Sequence, residues 1–437
     1  MFTHADLYQI LRKNDKGGVK QCISNVVLIL ENDPLFAEKF RFNELTDRVD
    51  IVGKMSWNRE GTMITDTDIN FIKMYLDDHY SLNTEKDILS GIDIVASKQK
   101  FHPIRDYLNS LEWDGEERVR YALHRFLGAN TSDITYESLK TFMLGAVERV
   151  FNPGCKFEMM LCLVGGQGVG KSTFFRFLAI KDDWYSDDIR KLDDENVYRR
   201  LQGHWIMEMS EMIATSSAKS IEEIKAFLTK TKDVYKVPYE KFAKDRQRQC
   251  VFGGTSNKKQ FLPGDRTGNR RFLPVLCHGE DAEVHILTDE DASREYINQM
   301  WAEIMEIYKS GEYSLCLTKE LQGQMNKYQQ EFIPEDSDEA AILGWLDETK
   351  EEYVCSRMLF YEALDHSTLV KPQKWETNAI NEIMTVSATD WELGPQHRFD
   401  KYGQQRSWVR RNRQLPDENV NDGFVPVPEY MQEELPF

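Results

Sequence analysis

No run of apolar residues in this chain approaches the roughly eighteen needed for a membrane-spanning helix. Its opening, MFTHADLYQILRKND, has neither the apolar core nor the cleavage site of a signal peptide. Both absences lead us to expect a soluble protein that works inside the cell, with no membrane partner. Cysteines stand at 22, 155, 162, 250, 277, 316 and 355, without a C-x-x-C pair and without a histidine at zinc-finger spacing. The spacing gives no zinc-ribbon or zinc-finger pattern, and buried thiols are expected rather than disulfides or metal ligands. Positive charge is also in short supply: 55 Lys and Arg face 73 Asp and Glu, for a net charge of −18. Such a chain cannot coat nucleic acid with its whole surface. What is present is a globular composition, 41% apolar over 437 residues, enough for several domains with a large core.

The most informative stretch is Met159–Ala179, MMLCLVGGQGVGKSTFFRFLA. Met159–Val164 is an apolar run suited to a buried parallel strand, and Ser172–Ala179 has the apolar spacing of a helix packed on a sheet. Between them Gly165-Gly166-Gln167-Gly168-Val169-Gly170-Lys171-Ser172 satisfies G-x-x-x-x-G-K-[ST]. Glycines let such a turn curl until its backbone N–H groups converge, and the positive end of the following helix faces the same point. The stretch from Gly165 to Thr173 is therefore expected to hold the phosphates of ATP. Lys171 would reach the terminal phosphates, and the Ser172 hydroxyl would serve Mg²⁺.

An ATPase of this kind also needs a carboxylate near the phosphates. The segment Gly203-His204-Trp205-Ile206-Met207-Glu208-Met209-Ser210-Glu211 reads as an apolar strand ending in acids. Glu211 is the preferred candidate, for the metal as well as the water, and Glu208 the second. A further strand, Cys250–Gly254, leads to Asn257, whose amide at a strand tip could bond the terminal phosphate or the attacking water. Arg270 and Arg271 then precede the apolar run Phe272–Leu276. Paired arginines suit a terminal phosphate, above all one on a neighbouring subunit, although they serve equally as solvated or ion-paired surface.

Charge is unevenly placed. Lys225, Lys230, Lys232, Lys236, Lys241, Lys244, Arg246 and Arg248 lie among only Asp233, Glu240 and Asp245. A confined basic strip of this kind suits phosphate contact, and Lys225, Lys236, Lys241, Lys244, Arg246 and Arg248 are the candidate DNA contacts. Residues 1–100 contain a helical opening, an apolar run at Ile23–Leu30 and a capped helix at Thr65–Asp78, with no signal of chemistry. Residues 101–152 read as a helical collar, 153–335 as the P-loop domain, 336–413 as three short helices and a hairpin, and 414–437 as an acidic tail. The helices-plus-hairpin pattern suggests a winged helix; a small helical bundle with an added hairpin is the alternative.

Several pieces resemble the virulence-associated E family of phages and genomic islands, whose ATPase is similar to superfamily 3 helicases. They are PIRDYLNSLEWDG at Pro103–Gly115, LGAVERVFNPGCKF at Leu144–Phe157, the P-loop with KSTFFRFL, GHWIMEMSEM, Lys225–Val237, VFGGTSN at Val251–Asn257 and TGNRRFLPV at Thr267–Val275. The resemblance implies an α/β P-loop NTPase core with a helical N-terminal collar and a C-terminal winged-helix-like domain. It also implies a homo-oligomeric ring, expected to be a hexamer, with ATP and Mg²⁺ as cofactors and single-stranded or forked DNA as partner. The strip Lys225–Arg248 would supply a DNA-contacting hairpin in the central channel. Family members are often joined to a primase, and a primase or another replication protein is an expected partner, although this sequence carries no catalytic primase signature. A second acid often follows in the family where Met212-Ile213 stand here, which places more of the metal and water work on Glu211. The expected function is a DNA-stimulated helicase or translocase replicating a mobile element in the cytoplasm of a bacterial host. The alternative is a nucleotide-switched DNA-binding regulator that unwinds nothing; a small-molecule kinase explains neither the basic strip nor the winged domain.

Overall fold

A computed structural model describes residues 3–189, 200–210, 218–235, 244–262, 269–334 and 337–411. Glu211, Lys236, Lys241 and the acidic tail thus lie outside the described residues, as does the side chain of Lys244. The chain divides into two compact units, Met1–Pro334 and Glu335–Phe437, with the division at the acidic break after Pro334.

The first hundred residues build their own small core. The apolar run is a helix, Ile23–Asn32, burying Val26, Ile29 and Leu30 against the helix Glu85–Lys98. Gly91 makes that approach possible: a Cβ there would meet Val26 at 2.5 Å. The helix Asp66–Tyr80 starts where Thr65 and Asp68 satisfy each other's backbone N–H in a capping box. Beside these helices, β1 (Phe40–Asn43) pairs antiparallel with β2 (Arg48–Ile51) and parallel with β3 (Lys100–Phe101).

Three helices form the collar: Pro103–Asn109, Val119–Leu127 and Asp133–Phe151. The second has no side-chain cap of its own. Instead Glu303, buried on the long helix Glu290–Ser310, accepts from the N–H groups of Arg118 (2.7 Å) and Val119 (3.0 Å). A carboxylate at that positive helix end satisfies donors that would otherwise be orphaned.

The core of the first unit is a five-stranded sheet made of β4 (Met160–Gly165), β5 (Tyr185–Ser186), β6 (Ile206–Ser210), β9 (Val251–Ser256) and β10 (Phe272–Cys277), with β7 (Lys232–Tyr235) and β8 (Lys244–Gln247) forming a separate antiparallel hairpin. The spatial order is β10-β4-β9-β6-β5, and every pairing is parallel. Residues alternate between the two faces, as the strand period requires. Leu161, Leu163, Leu273 and Val275 face the collar helices and Trp301, while Met160, Cys162, Met207 and Phe252 face the helix Ala218–Thr229. This is the α/β architecture of an NTPase-like core, buried on both faces as parallel sheets are. All seven cysteines are free thiols. Among the described residues no helix is long and apolar enough to cross a membrane, and no cluster of potential ligands could hold a metal.

The second unit runs helix Ser337–Glu348, β11 (Tyr353–Val354), a short helix Ser356–Met358 continuing as a π-turn to Ala363, helix Lys374–Val386, then β12 (Trp391–Phe399) and β13 (Gly403–Arg410). Its sheet order is β11-β13-β12, antiparallel throughout. The hairpin turns at Lys401-Tyr402, and β12 pairs with β13 from Trp391–Arg410 to Phe399–Gly403 with a bulge between Leu393 and Gln396. Its distal half, Gln396–Arg398 with Gln404–Arg406, is polar on both faces and so gives no alternation to read.

Candidate functional site

The P-loop joins β4 to the helix Lys171–Leu178. Gly168 (φ +84°) and Gly170 (φ +98°) sit in the left-handed region, where a side chain is strained, and a Cβ on Gly170 would also press on Ile286 at 3.3 Å. Their freedom lets the loop double back over the helix N-terminus, making a concave backbone surface of the kind that receives anions.

Lys171 is buried beneath this loop. Its Nζ donates to the carbonyls of Gly165 (2.7 Å) and Gly166 (2.6 Å) and to Oδ1 of Asn257 (3.1 Å). All three acceptors are neutral, and burial lowers the ammonium pKa from its ordinary value. Asn257 follows β9, the strand next to β4, and this adjacency brings the two side chains together across the sequence.

β6 pairs with the other edge of β9 and places Glu208 in the same site. The Glu208 side chain is fully buried and accepts four hydroxyl hydrogen bonds. Oε1 takes Ser172 Oγ (2.8 Å), Ser210 Oγ (2.9 Å) and Thr255 Oγ1 (2.6 Å), and Oε2 takes Tyr185 Oη (2.5 Å). Burial and the adjacent carboxylate push the Tyr185 phenol well above its ordinary pKa, so it stays a donor. The acid joined directly to the P-loop serine is thus Glu208, the second of the two sequence candidates. The strand ends at Ser210, so Glu208 points inward from within it, not from its tip.

Arg270 and Arg271 are not brought to this site. They precede β10, whose first residue, Phe272, lies opposite Met160, while the P-loop begins beyond Gly165 at the other end of the strand. Six residues of strand at about 3.3 Å each separate them from it, on the order of 20 Å. Both pair with Glu158, Arg270 Nη2 at 3.3 Å and Arg271 Nε at 3.2 Å. Arg270 keeps 60% of its side chain exposed, Arg271 only 17%.

The basic strip runs from the helix Ala218–Thr229 into the β7–β8 hairpin; Lys230 and Lys232 are exposed, whereas Lys225 and Arg248 are buried and Arg246 is half-buried. Arg248 is buried, grips Asp233 with two hydrogen bonds (2.7 and 3.0 Å) and stacks on Phe227. Lys225 is also buried, against Glu222. Lys232 pairs with Asp245. Arg246 reaches Asp47 at 2.7 Å. Of the candidate DNA contacts, Arg246 and Arg248 thus lie at the root of the hairpin and Lys225 on the helix before it, each beside a carboxylate. Asp47 lies in the turn between β1 and β2, and Gln249 Nε2 donates to the carbonyl of Glu44 in the same turn (2.9 Å). The first hundred residues thus brace the hairpin's base, a role that no local motif announces.

Residues 108–334, slightly more than half of the chain, match the profile of the virulence-associated protein E-like domain. This chain belongs to the virulence-associated protein E-like family. The match spans both the P-loop site and the hairpin. No curated protein matches the sequence. Among solved structures, this family member is similar to the C-terminal region (305–718) of NrS-1. The A-form apo structure of that region is 12% identical with a TM-score of 0.49, covering 90% of this chain and 100% of that one. Another apo structure of the same region is 14% identical with a TM-score of 0.47, covering 87% and 100%.

Proposed function

We propose that this member of the virulence-associated protein E-like family is an ATP-dependent DNA helicase or translocase that acts in replication of a phage or other mobile element, as a homo-oligomeric ring. The observation that carries the reading is Lys171: a buried cation whose hydrogen-bond acceptors are all neutral, under a glycine loop that converges on the same point. A polyphosphate would give that ammonium an anionic partner at hydrogen-bond distance, which its present acceptors do not. The donor set fits ATP and Mg²⁺: the backbone of 165–170 cradles phosphates, and the Ser172 hydroxyl and Glu208 carboxylate would hold the metal. Magnesium, when bound, neutralises phosphate charge. Lys171 then exchanges its carbonyl acceptors for phosphate oxygens, and Asn257, released from Lys171, is placed to orient the water. The role of Glu211 in that step stays with the proposal as the alternative acid.

Coupling to DNA follows from chain order. The hairpin leaves the core after β6 and its accompanying helix, and re-enters directly into β9 through Arg248 and Gln249. A shift of Asn257 at one end of β9 is passed along the strand to the Arg248–Asp233 root at the other. Residues 236–243, with Lys236 and Lys241, together with Lys244, carry the proposed contact with single-stranded DNA. Arg270, exposed and remote from its own P-loop, is the proposed donor to a neighbour's nucleotide. The proposed setting is the cytoplasm of a bacterial host, with a primase or other replication protein alongside.

The internal pairing of the described basic residues favours a second reading, a slow nucleotide-switched DNA-binding regulator. Unwinding of a forked DNA substrate separates the two. The helicase reading expects strand separation that needs ATP and is absent with Lys171→Ala; nucleotide-dependent DNA binding without any separation supports the regulator.

A further inference from the structure

The second unit contains a groove of about 490 Å³ between the helix Lys374–Val386, the start of the preceding short helix and the β12–β13 ribbon. Its lining is unusual for so acidic a chain. It includes Arg357, Arg406, Thr377, Asn381 and Thr385, and no carboxylate. Both arginines are exposed, and neither makes an ion pair among the described residues. The contrast with the β7–β8 hairpin is direct, since there every described arginine is matched by an aspartate.

The helix beside the groove has one buried face and two adjoining polar rows. Ile380, Ile383 and Met384 are buried and fix it to the unit's core. Thr377, Asn381 and Thr385, four residues apart, line the groove. Lys374, Asn378 and Glu382, also four apart, are exposed, and Trp375 at the helix start is 70% exposed. A single face carrying Lys, Asn and Glu presents the donors and acceptors that match guanine, adenine and cytosine edges in a major groove wide enough to admit a helix. A duplex seated on that face runs a phosphate strand alongside the helix, between it and the ribbon, where Arg357 and Arg406 lie.

We infer that this groove and the adjoining helix face form a duplex-DNA site, separate from the β7–β8 hairpin and independent of the nucleotide site. The two arginines hold the phosphodiester backbone; Lys374, Asn378 and Glu382 face the bases. A chain with two such sites holds parental duplex and unwound strand at once, a property the nucleotide site by itself does not confer.

The test is fluorescence anisotropy of the full chain with a labelled duplex and, separately, a labelled single strand, each across a salt series. R357A/R406A is expected to bind duplex about tenfold or more weaker, with a salt dependence shallower by about two units, one for each phosphate that an arginine no longer neutralises. R357K/R406K should recover part of the affinity, and single-strand binding should be unchanged. Because both side chains are exposed, the variant is expected to fold; should it not, R357Q and R406Q made singly should each remove about one unit of slope. Equal duplex affinity and slope in wild type and variants overturns the inference. So does a wild-type chain that binds no duplex at low salt, the result expected if the groove seats a protein segment instead. None of these outcomes depends on ATP turnover, so a failed ATPase assay leaves the test intact.

Discussion

Glu208→Gln is expected to lower ATP turnover by roughly 10²- to 10³-fold while ATP still binds, on the scale seen when one charged group of a preorganised site is lost. The substitution keeps the shape and much of the acceptor capacity that holds Ser172, Thr255, Ser210 and Tyr185, so the site should survive with a stability cost of about 1–2 kcal/mol. What disappears is the negative charge beside the P-loop serine. Nucleotide binding by a fluorescent analogue and steady-state phosphate release separate the two effects. If turnover stays near wild type in this variant and collapses in Glu211→Gln, Glu208 is a structural anchor and the acid lies further along the chain.

The arginine pair should behave differently, because it cannot serve its own chain's nucleotide. Arg270→Ala/Arg271→Ala is expected to lose between 10³- and 10⁵-fold in turnover, the range for an arginine supplied in trans. Mixed in equal amounts with inactive Lys171→Ala protein, it should regain activity: random assembly puts an intact Lys171 against an intact arginine at about a quarter of the interfaces of a ring. Recovery in proven mixed oligomers places the arginines across a boundary between subunits. No recovery, with mixing demonstrated, contradicts that placement and leaves the pair as partners of Glu158.

What the sequence made legible was local. The P-loop could be read from its glycines, its lysine and its flanking apolar runs, and the strands that carry Glu208 and Asn257 could be read from their hydrophobicity. Their convergence was expected from the chemistry of an ATPase, not from the pattern of the strands. Lys171, Asn257 and Glu208 share a site only because β9 lies between β4 and β6, and that order is a matter of tertiary pairing. Tyr185 gave no signal at all, since a two-residue strand beside β6 is too short to show a period. Thr255 stood in plain view two residues before Asn257, but nothing in the sequence distinguished it from an ordinary strand threonine. In the basic strip, composition counts Asp233 among the acids but does not say that it pairs with Arg248, and it gives no hint of Asp47, which answers Arg246 from another layer. The helix caps were more transparent, Thr65 with Asp68 being a pattern that spans only four residues.

The proposed activity is ATP turnover at the P-loop, driven by single-stranded DNA. Its most direct test is phosphate release by the wild-type chain with Mg²⁺ and ATP, with and without single-stranded DNA, beside Lys171→Ala. The expected result is a basal rate that rises with DNA in the wild type and is absent in the variant under both conditions, with the fold of the variant retained by circular dichroism. Turnover in Lys171→Ala equal to wild type, or a wild-type rate indifferent to DNA at every concentration, would contradict it.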